Sequence, residues 1–369
     1  MKIGVPREVK THEYRVGMRP AAVQPLIHAG HEVWVQQGAG LGSGYSDDDY
    51  AKVGAKIVPF AGDVWSAEMV IKVKEPLPQE YQYFRPGLVL FTYLHLAAEK
   101  DLTEKLLEQK VQGVAYETIT EDQGGLPLLR PMSEIAGRMS IQVGAASLEK
   151  SQSGKGILLS GVPGTRRGQV VILGGGVVGT AAARIAIGMG AKVTVLDVSS
   201  QRMDYLEDVF GSAIETIYSN QTSIEEAVCS ADLVVGGVLI PGGAAPKLVD
   251  EYLLKKMQPG SVVVDVAVDQ GGCISTCHPT THDQPTYIVH DIVHYCVANM
   301  PGAVPRTSTM ALTNATQPYV LAIANQGLIG AIKSNRHLAN GINVFNGTCT
   351  TEGVANAHGI AFTPLEQLL

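Results

Sequence analysis

Four residues that could act on a small organic acid each follow a short apolar run. Arg15 lies in the loop after the first predicted strand, Lys74 ends the run at 69–73, and His95 ends the run at 88–94. Asp269 comes just after an apolar run in the second half of the chain. Because functional side chains in parallel sheets gather at the carboxyl ends of the strands, we expect these four residues to border a binding site.

The residue types suit an acid with a reactive α-carbon. Arg15 offers a planar fork for a carboxylate, and Lys74 adds a point charge for that carboxylate or for a keto oxygen. Histidine exchanges protons near neutral pH, so His95 could transfer a proton as hydride leaves or reaches the α-carbon. Asp269 would orient an amine or a water molecule and complete the site only when the domains close. Taken singly, His95 could be a structural histidine and Lys74 a solvated partner of Glu75.

A glycine-rich motif indicates a dinucleotide site. The predicted strand 169–173 runs into a GxGxxG pattern that opens an alanine-rich helix. Gly174 would form the tight turn, Gly176 would let backbone N–H groups approach a pyrophosphate, and Gly179 would let the helix pack closely on the strand.

Two further residues bear on which nucleotide is bound. Asp197 ends the second predicted strand of this domain, where a carboxylate binds the ribose hydroxyls and repels a 2′-phosphate. Asp197 therefore favours NAD over NADP. Arg202 lies close by in the sequence and leaves NADP open, because an arginine there can bind a 2′-phosphate. Asn299 could bond the nicotinamide carboxamide, and the stretch 297–305 around it reads equally well as a hinge back to the first domain.

Two series of short β-branched runs alternate with helical patterns, which is typical of α/β proteins with parallel sheets. We predict two doubly wound domains separated by a cleft, one of them a Rossmann NAD-binding domain at 129–305 and the other a substrate domain at 1–128 and 306–369. The first series of candidate strands is 2–5, 31–35, 69–72, 88–93 and 113–116. The second series is 169–173, 192–196, 233–236, 261–266 and 286–289.

Several helices are predicted around these strands. Helical patterns span 20–29 and 100–109, and a mostly apolar stretch at 308–333 reads as a buried helix returning to the first domain. The link at 132–150 looks like a helix with Ser133 as its N-terminal cap.

Composition excludes several classes of protein. The net charge of −7 provides no basic surface for nucleic acid. The longest apolar stretch, at 310–332, carries too many amides for a spanning helix, and the first residues read as a strand rather than as a signal peptide. Five cysteines in 369 residues suit a reducing compartment, so we predict a cytoplasmic protein.

One cluster of residues has ligand types without a typical ligand spacing. Cys273, Cys277, His278 and His282 lie within ten residues, which is closer than most structural zinc spacings. We interpret the segment as a surface loop and predict no metal site.

Seven motifs along the chain resemble those of the alanine dehydrogenase family. They are KIGVPRE at 2–8, EYRV at 13–16, IKVKEP at 71–76, TYLHL at 92–96, PMSEIAGR at 131–138, VDVAVDQGG at 264–272 and ANMPGAVP at 298–305. The resemblance covers nearly the whole chain. One departure is the segment 290–295, where a smaller turn is expected.

The resemblance implies reversible oxidative deamination of L-alanine to pyruvate and ammonium with NAD, carried out by a homohexamer. It implies that Arg15 and Lys74 hold the substrate, that His95 is the acid and base, and that Asp269 assists the iminium and carbinolamine steps. Leu129 and Met132 are candidates for the pocket around the methyl group. The implied cofactor contacts are Ser133, Asp197, Arg202, Ser219 and Asn299.

Three other functions fit parts of the pattern. The NAD-binding component of a proton-translocating transhydrogenase shares the family pattern but does not need Lys74 and His95 for its chemistry. A saccharopine-type dehydrogenase would use the same imine chemistry with an amino acid as the amine. An NAD-sensing module would use 174–197 and leave the convergent charges unexplained.

Overall fold

The protein is described by a computed structural model that covers residues 1–238 and 245–369. The chain folds into two compact units, one formed by Met1–Met132 with Gly302–Leu369 and the other by Ser133–Pro301. Across these described ranges, no helix is both long enough and apolar enough to cross a membrane.

The first unit is built on an eight-stranded sheet in the order β15-β14-β6-β5-β4-β1-β2-β3. Its strands are β1 Lys2–Val5, β2 Glu32–Gln36, β3 Lys56–Val58, β4 Met69–Ile71, β5 Val89–Thr92, β6 Gln112–Ala115, β14 Ile342–Phe345 and β15 Thr348–Cys349. In this order, the neighbouring strands β6, β5, β4, β1, β2 and β3 all pair in parallel. β14 is antiparallel to both β6 and β15.

Helices cover this sheet because their apolar faces need a partner to bury. They are α1 Pro20–His28, α2 Asp47–Lys52, α3 Ala61–Trp65, α4 Lys100–Glu108, α10 Pro305–Ser334, α11 Arg336–Asn340 and α12 Glu352–His358. α10 includes the predicted stretch 308–333, and Gly327 breaks its regular geometry with a φ of 70°.

The second unit is built on a sheet in the order β12-β13-β11-β10-β7-β8-β9. Its described strands are β7 Gln169–Leu173, β8 Lys192–Asp197, β9 Glu215–Tyr218, β10 Leu233–Gly236, β11 Val262–Asp265, β12 Thr286–Val289 and β13 Ile292–Tyr295. Its described helices are α6 Val177–Gly188, α7 Ser200–Phe210, α8 Gln221–Ser230 and α9 Glu251–Leu254. α5, Arg130–Ser147, crosses the boundary between the units.

The predicted class is confirmed, with α/β architecture in both units and a Rossmann-like second unit. The sheets are mostly parallel, as expected, and each also has an antiparallel edge that was not predicted: β12 and β13 form an antiparallel hairpin, and β14 runs antiparallel to β6. The hairpin turns at His290 and Asp291, whose φ angles are 52° and 60°. These left-handed angles suit a two-residue hairpin turn, which explains the unusual sequence there.

Candidate active site

Three of the predicted residues follow neighbouring strands of the first sheet. Arg15 lies beyond β1, Lys74 beyond β4 and His95 beyond β5, and β4 pairs with both β1 and β5. Parallel pairing carries all three chain segments to the same edge of the sheet.

Arg15 is buried and held by Glu13. The Arg15 Nε donates to Glu13 Oε1 at 2.7 Å, and Nη2 donates to Glu13 Oε2 at 2.6 Å. Burial alone would lower the pKa of Arg15, but the bonds and charge of Glu13 raise it. Nη1 donates to Met132 Sδ at 3.1 Å, so this candidate for the methyl pocket lies beside the guanidinium. The orientation of Arg15 is therefore fixed before any ligand binds.

Lys74 is a cation without a matching carboxylate. Among the described residues, no carboxylate oxygen lies within ion-pair distance of its ammonium group. Burial lowers the pKa of Lys74, Glu75 opposes that shift, and Arg15 adds to it. An anionic ligand beside Lys74 would relieve the cost of burying this charge.

His95 is oriented by Glu75, which sequence reasoning paired with Lys74 instead. The His95 Nδ1 lies 3.1 Å from Glu75 Oε2, and Lys10 bonds the other carboxylate oxygen. Burial would raise the pKa of Glu75, but the bond to His95 and the charge of Lys74 hold it well below its usual range. The Glu75 side chain is only 4% exposed, so the solvated Lys74–Glu75 pair considered from the sequence is wrong.

A second carboxylate holds the main chain of His95. Glu117 Oε1 accepts the N–H of His95 at 2.6 Å and that of Leu94 at 3.0 Å. His95 has a φ of 51°, in the left-handed region that non-glycine residues rarely adopt. From the sequence, Glu75 was considered only as a partner of Lys74, and Glu117 was not recognised. One feature of the sequence could have indicated their roles: Glu75 and Glu117 each lie just after a strand of the same sheet.

A buried ionic cluster supports the segment that carries Lys74. The Lys72 ammonium, fully buried, donates to Glu8 Oε2 at 3.1 Å and to Glu80 Oε1 at 2.9 Å. Glu8 Oε1 also accepts the N–H of Val73 at 2.6 Å. A charge buried without partners is costly, so Lys72 keeps Glu8 in place. Through its bond to the Val73 N–H, Glu8 then fixes the backbone next to Lys74.

The three motif glycines have the geometry of a nucleotide loop. Gly174 has a φ of 94°, as a tight turn after β7 requires. A Cβ on Gly179 would lie 1.9 Å from the Gly174 carbonyl oxygen, so only glycine fits there. Gly176 precedes α6, and a Cβ built on it would meet no atom within 4 Å. The helix N-terminus therefore opens onto space that a pyrophosphate could fill.

Asp197 and Arg202 both contact this loop. Asp197 ends β8, and its carboxylate accepts the N–H groups of Gly175 at 2.6 Å and Ser199 at 2.9 Å. The Arg202 guanidinium bonds the Gly175 carbonyl, and its Nη2 donates to Thr180 Oγ1 at 2.5 Å. Arg202 therefore points toward the glycine loop. Its position near Asp197 in the sequence did not predict this contact.

A cavity of about 390 Å³ lies beyond β8 and β9 in the second unit. Ser219, which only the family resemblance singled out, lines it together with Val198 and Leu248. The Ser219 N–H donates to the Asp197 carbonyl at 2.9 Å. The size and mixed lining suit a small heterocycle at the end of a nucleotide.

Three other candidates occupy different positions. Asp269 is exposed on the 3₁₀ turn Val268–Gln270, directly after β11. The Asn299 carbonyl oxygen lies 2.9 Å from His282 Nε2. Ser133 was predicted as a cap, and that is wrong: α5 begins at Arg130, so Ser133 lies within its first turn.

The residues of the cysteine and histidine cluster point to different partners. Cys273 is buried in the core, His278 stacks on Tyr287 with ring centroids 4.0 Å apart, and His282 lies against Asn299. Across the described ranges, no three His, Cys, Asp or Glu side chains are grouped as a metal site would require. The prediction of a surface loop is wrong for Cys273.

Two family descriptions match most of the chain. "Alanine dehydrogenase/PNT, N-terminal domain" matches residues 4–136, and "Alanine dehydrogenase/PNT, C-terminal domain" matches residues 140–352.

Relatives of known name match along their whole length. The alanine dehydrogenases of Bacillus subtilis and Methanococcus maripaludis are each 56% identical to this chain, with 100% of the chain and 98% and 100% of the relatives covered. A solved L-alanine dehydrogenase superposes with a TM-score of 0.95 at 53% identity, covering 97% of this chain and 99% of the other. A transhydrogenase from Sinorhizobium meliloti shares the fold, with a TM-score of 0.81 at 22% identity. The match covers 95% of this chain and 99% of the transhydrogenase chain.

Proposed function

The chain belongs to the alanine dehydrogenase/PNT family, and from this premise we propose that it interconverts L-alanine and pyruvate with NAD. It is an NAD-dependent amino-acid dehydrogenase, in which L-alanine, NAD and water give pyruvate, ammonium, NADH and a proton. The observation that carries the site assignment is that Arg15 and Lys74 follow neighbouring parallel strands, while among the described residues no carboxylate lies within ion-pair distance of the partly buried Lys74 ammonium.

Arg15 and Lys74 are proposed to hold the substrate carboxylate. Glu13 fixes the Arg15 guanidinium, so little side-chain entropy is lost when the ligand binds. Lys74 supplies the charge that the carboxylate, or the keto oxygen of pyruvate, would neutralise. Met132, next to Arg15, is in a position to contact the methyl group.

His95 is proposed to transfer the proton. The Nδ1 contact with Glu75 leaves Nε2 as the nitrogen that can face the substrate. A carboxylate acceptor favours the tautomer with the proton on Nδ1, so the Nε2 lone pair can act as a base. In alanine oxidation Nε2 would take a proton from the substrate ammonium group and release it to solvent, then take one from the attacking water and give it to the departing nitrogen. The same transfers run in the opposite order in the reverse direction.

Asp269 is proposed to orient the amine or that water. It lies on an exposed turn whose backbone is held by buried Asp265, which accepts the N–H of Ala267 at 3.1 Å and of Ile274 at 3.0 Å. That Asp269 completes the site only on closure stays a prediction.

NAD supplies the acceptor for the hydride that leaves the α-carbon. The residues fit this cofactor because Gly176 leaves space at the α6 N-terminus and Gly174 allows the tight turn. We assign the ribose to Asp197, the adenine end to the cavity lined by Ser219, and the nicotinamide end to Asn299. Ser133 and Arg202 complete the proposed cofactor contacts.

A direct test is NADH formation from L-alanine, with D-alanine as the control. We expect strong stereoselectivity, because two cations fix the carboxylate and Met132 limits where the methyl group fits. The competing function, hydride exchange between nucleotides, would proceed without an amino acid, and its appearance without alanine oxidation would overturn the proposal.

Assembly and location are proposals from the family resemblance. We propose a homohexamer in the cytoplasm. Sedimentation equilibrium on the purified protein measures the subunit number directly, and a monomer at micromolar concentration would contradict the assignment.

A further inference from the structure

The turn that carries Asp269 continues into two consecutive glycines. Gly271 and Gly272 have φ angles of 91° and 69°, in the left-handed region that glycine enters without steric cost. Glycine also has more conformational freedom than any other residue, so bonds from other parts of the chain must fix this stretch. The position of Asp269, which is proposed to orient the amine or the water, therefore depends on those bonds.

Buried Asp265 holds the two ends of the turn. Its carboxylate accepts the N–H groups of Ala267 at 3.1 Å and of Ile274 at 3.0 Å. Gly272 makes room for this carboxylate, because a Cβ built on Gly272 would lie 2.6 Å from Asp265 Oδ2. Both bonds lie at the ends of the turn, so other contacts must hold its middle.

A neighbouring segment, 245–249, lies alongside the middle of the turn. The Ala245 N–H donates to the Gln270 carbonyl at 3.1 Å, and the Leu248 N–H donates to the Cys273 carbonyl at 2.8 Å. These backbone bonds fix the segment against the turn on either side of the two glycines.

The Lys247 side chain bonds the glycine stretch itself. Its ammonium donates to the Gly271 carbonyl, two residues after Asp269, and lies 3.5 Å from the Ile274 carbonyl. A hydrogen bond from a charged donor is stronger than one from a neutral donor. Lys247 therefore ties the most flexible part of the turn to the segment beside it.

The same lysine borders the cavity that is assigned to the adenine end of NAD. Lys247 lines this space of about 390 Å³ together with Ser219 and Leu248. A role confined to the cavity would affect how tightly the nucleotide binds. A role at the turn would affect the rate of the reaction after the nucleotide has bound, so kinetics can separate the two.

We propose that Lys247 is a positioning residue for Asp269. Its ammonium holds the Gly271 carbonyl, and with it the turn, so that the Asp269 carboxylate can orient the amine or the attacking water. The inference rests on the proposed function, because it takes Asp269 as part of the reaction site. Lys247 acts without touching the substrate, so its loss should slow the reaction and leave pyruvate binding, which is assigned to Arg15 and Lys74, unchanged.

The test is the steady-state rate of pyruvate amination by Lys247→Met at saturating NADH and ammonium. Methionine keeps a long side chain but donates no hydrogen bond, and Lys247 is exposed, so we expect the fold to remain intact. We expect kcat to fall about tenfold or more, because a misplacement of about 1 Å can cost a factor of about 100 in rate. KM for pyruvate should stay near its normal value.

Two further variants serve as controls. Lys247→Arg keeps a charged donor and should restore most of kcat. Lys255→Met removes another exposed lysine of the second unit, one that pairs with Glu251, and should leave kcat and both KM values unchanged.

Hydrogen exchange measures the turn directly. The backbone amides of 266–274 should exchange faster in Lys247→Met than in the unsubstituted protein or in Lys255→Met, because the turn opens more often without its tie.

Three results would overturn the proposal. They are a normal kcat in Lys247→Met, a rise in KM for NADH with no fall in kcat, and unchanged exchange at 266–274. Failure of the proposed function is a different result, in which the unsubstituted protein itself does not convert pyruvate and ammonium to alanine. The exchange measurement would then still test the tie between Lys247 and the turn.

Discussion

The Glu117 carboxylate accepts the main-chain N–H of His95 at 2.6 Å, at a residue whose φ is 51°. It also accepts the N–H of Leu94, so the turn that presents His95 is held through its backbone. Glu75 holds the ring of the same histidine through Nδ1. The position of the proposed acid and base is thus set by two carboxylates that need not touch the substrate.

Replacing Glu117 should therefore slow the reaction without weakening substrate binding. A left-handed backbone costs a non-glycine residue roughly 1–3 kcal/mol, and about 1.4 kcal/mol corresponds to a tenfold change in rate. We expect Glu117→Gln to lower kcat about tenfold or more while KM for pyruvate stays close to normal. Steady-state kinetics separate the two constants.

The control for this substitution is Glu121→Gln, which changes an exposed carboxylate on the following turn. It should leave both constants unchanged. A normal kcat in Glu117→Gln, or a rise in KM alone, would show that Glu117 does not position His95.

Lys74 should make pyruvate binding sensitive to alkaline pH. Because its pKa lies below that of an ordinary lysine, its charge is lost at a lower pH as the pH rises. We expect KM for pyruvate to increase on the alkaline side at saturating ammonia, and Lys74→Arg to remove that increase because arginine stays protonated.

Lys74→Gln tests the same charge at neutral pH. A charge-assisted hydrogen bond contributes roughly 1.5–3 kcal/mol, so KM for pyruvate should rise about 10- to 100-fold. Lys105→Gln, on the exposed face of α4, is the control. An unchanged KM in Lys74→Gln would remove Lys74 from the binding site.

Much of this arrangement was predictable because local sequence dictates it. β1, β7, β10 and β12 have the predicted limits, since each is a compact apolar run between turn-forming residues. The glycine loop was predictable as well, because close approach leaves no choice but glycine at Gly179.

Other features depend on contacts that a single sequence does not contain. β14 is short, and it pairs with β6, which lies far earlier in the chain. Glu117 reaches His95 from 22 residues away through the pairing of β5 and β6. Such long-range hydrogen bonds leave no periodic signal in the sequence.

Asp197 should determine the choice between NAD and NADP. Its carboxylate would lie against a 2′-phosphate, and a close like-charge contact costs several kcal/mol, so Asp197→Ala should reduce the preference for NAD by roughly tenfold or more. The measurement is the ratio of kcat/KM for the two nucleotides. Asp208→Ala, exposed on α7, serves as the control, and an unaltered ratio in Asp197→Ala would place the ribose elsewhere.

Substitution of the two loop glycines by alanine should affect different properties, stability for Gly179 and nucleotide binding for Gly176. Gly179→Ala places a Cβ 1.9 Å from the Gly174 carbonyl, so we expect a clear fall in Tm. Gly176→Ala meets no atom within 4 Å and should cost stability at most about 1 kcal/mol as a capping change. Its Cβ would enter the proposed pyrophosphate space, so KM for NADH should rise. A normal KM for NADH in a folded Gly176→Ala variant would contradict that placement.

The measurement that tests the central assignment most directly is NADH oxidation by the purified protein with pyruvate, followed with and without ammonium. An amino-acid dehydrogenase that uses free ammonium should oxidise NADH only when both are present, with L-alanine as the product and a steep loss of rate for longer 2-oxo acids. Oxidation that proceeds equally without ammonium, or no oxidation by a protein that still binds NADH, would contradict the account.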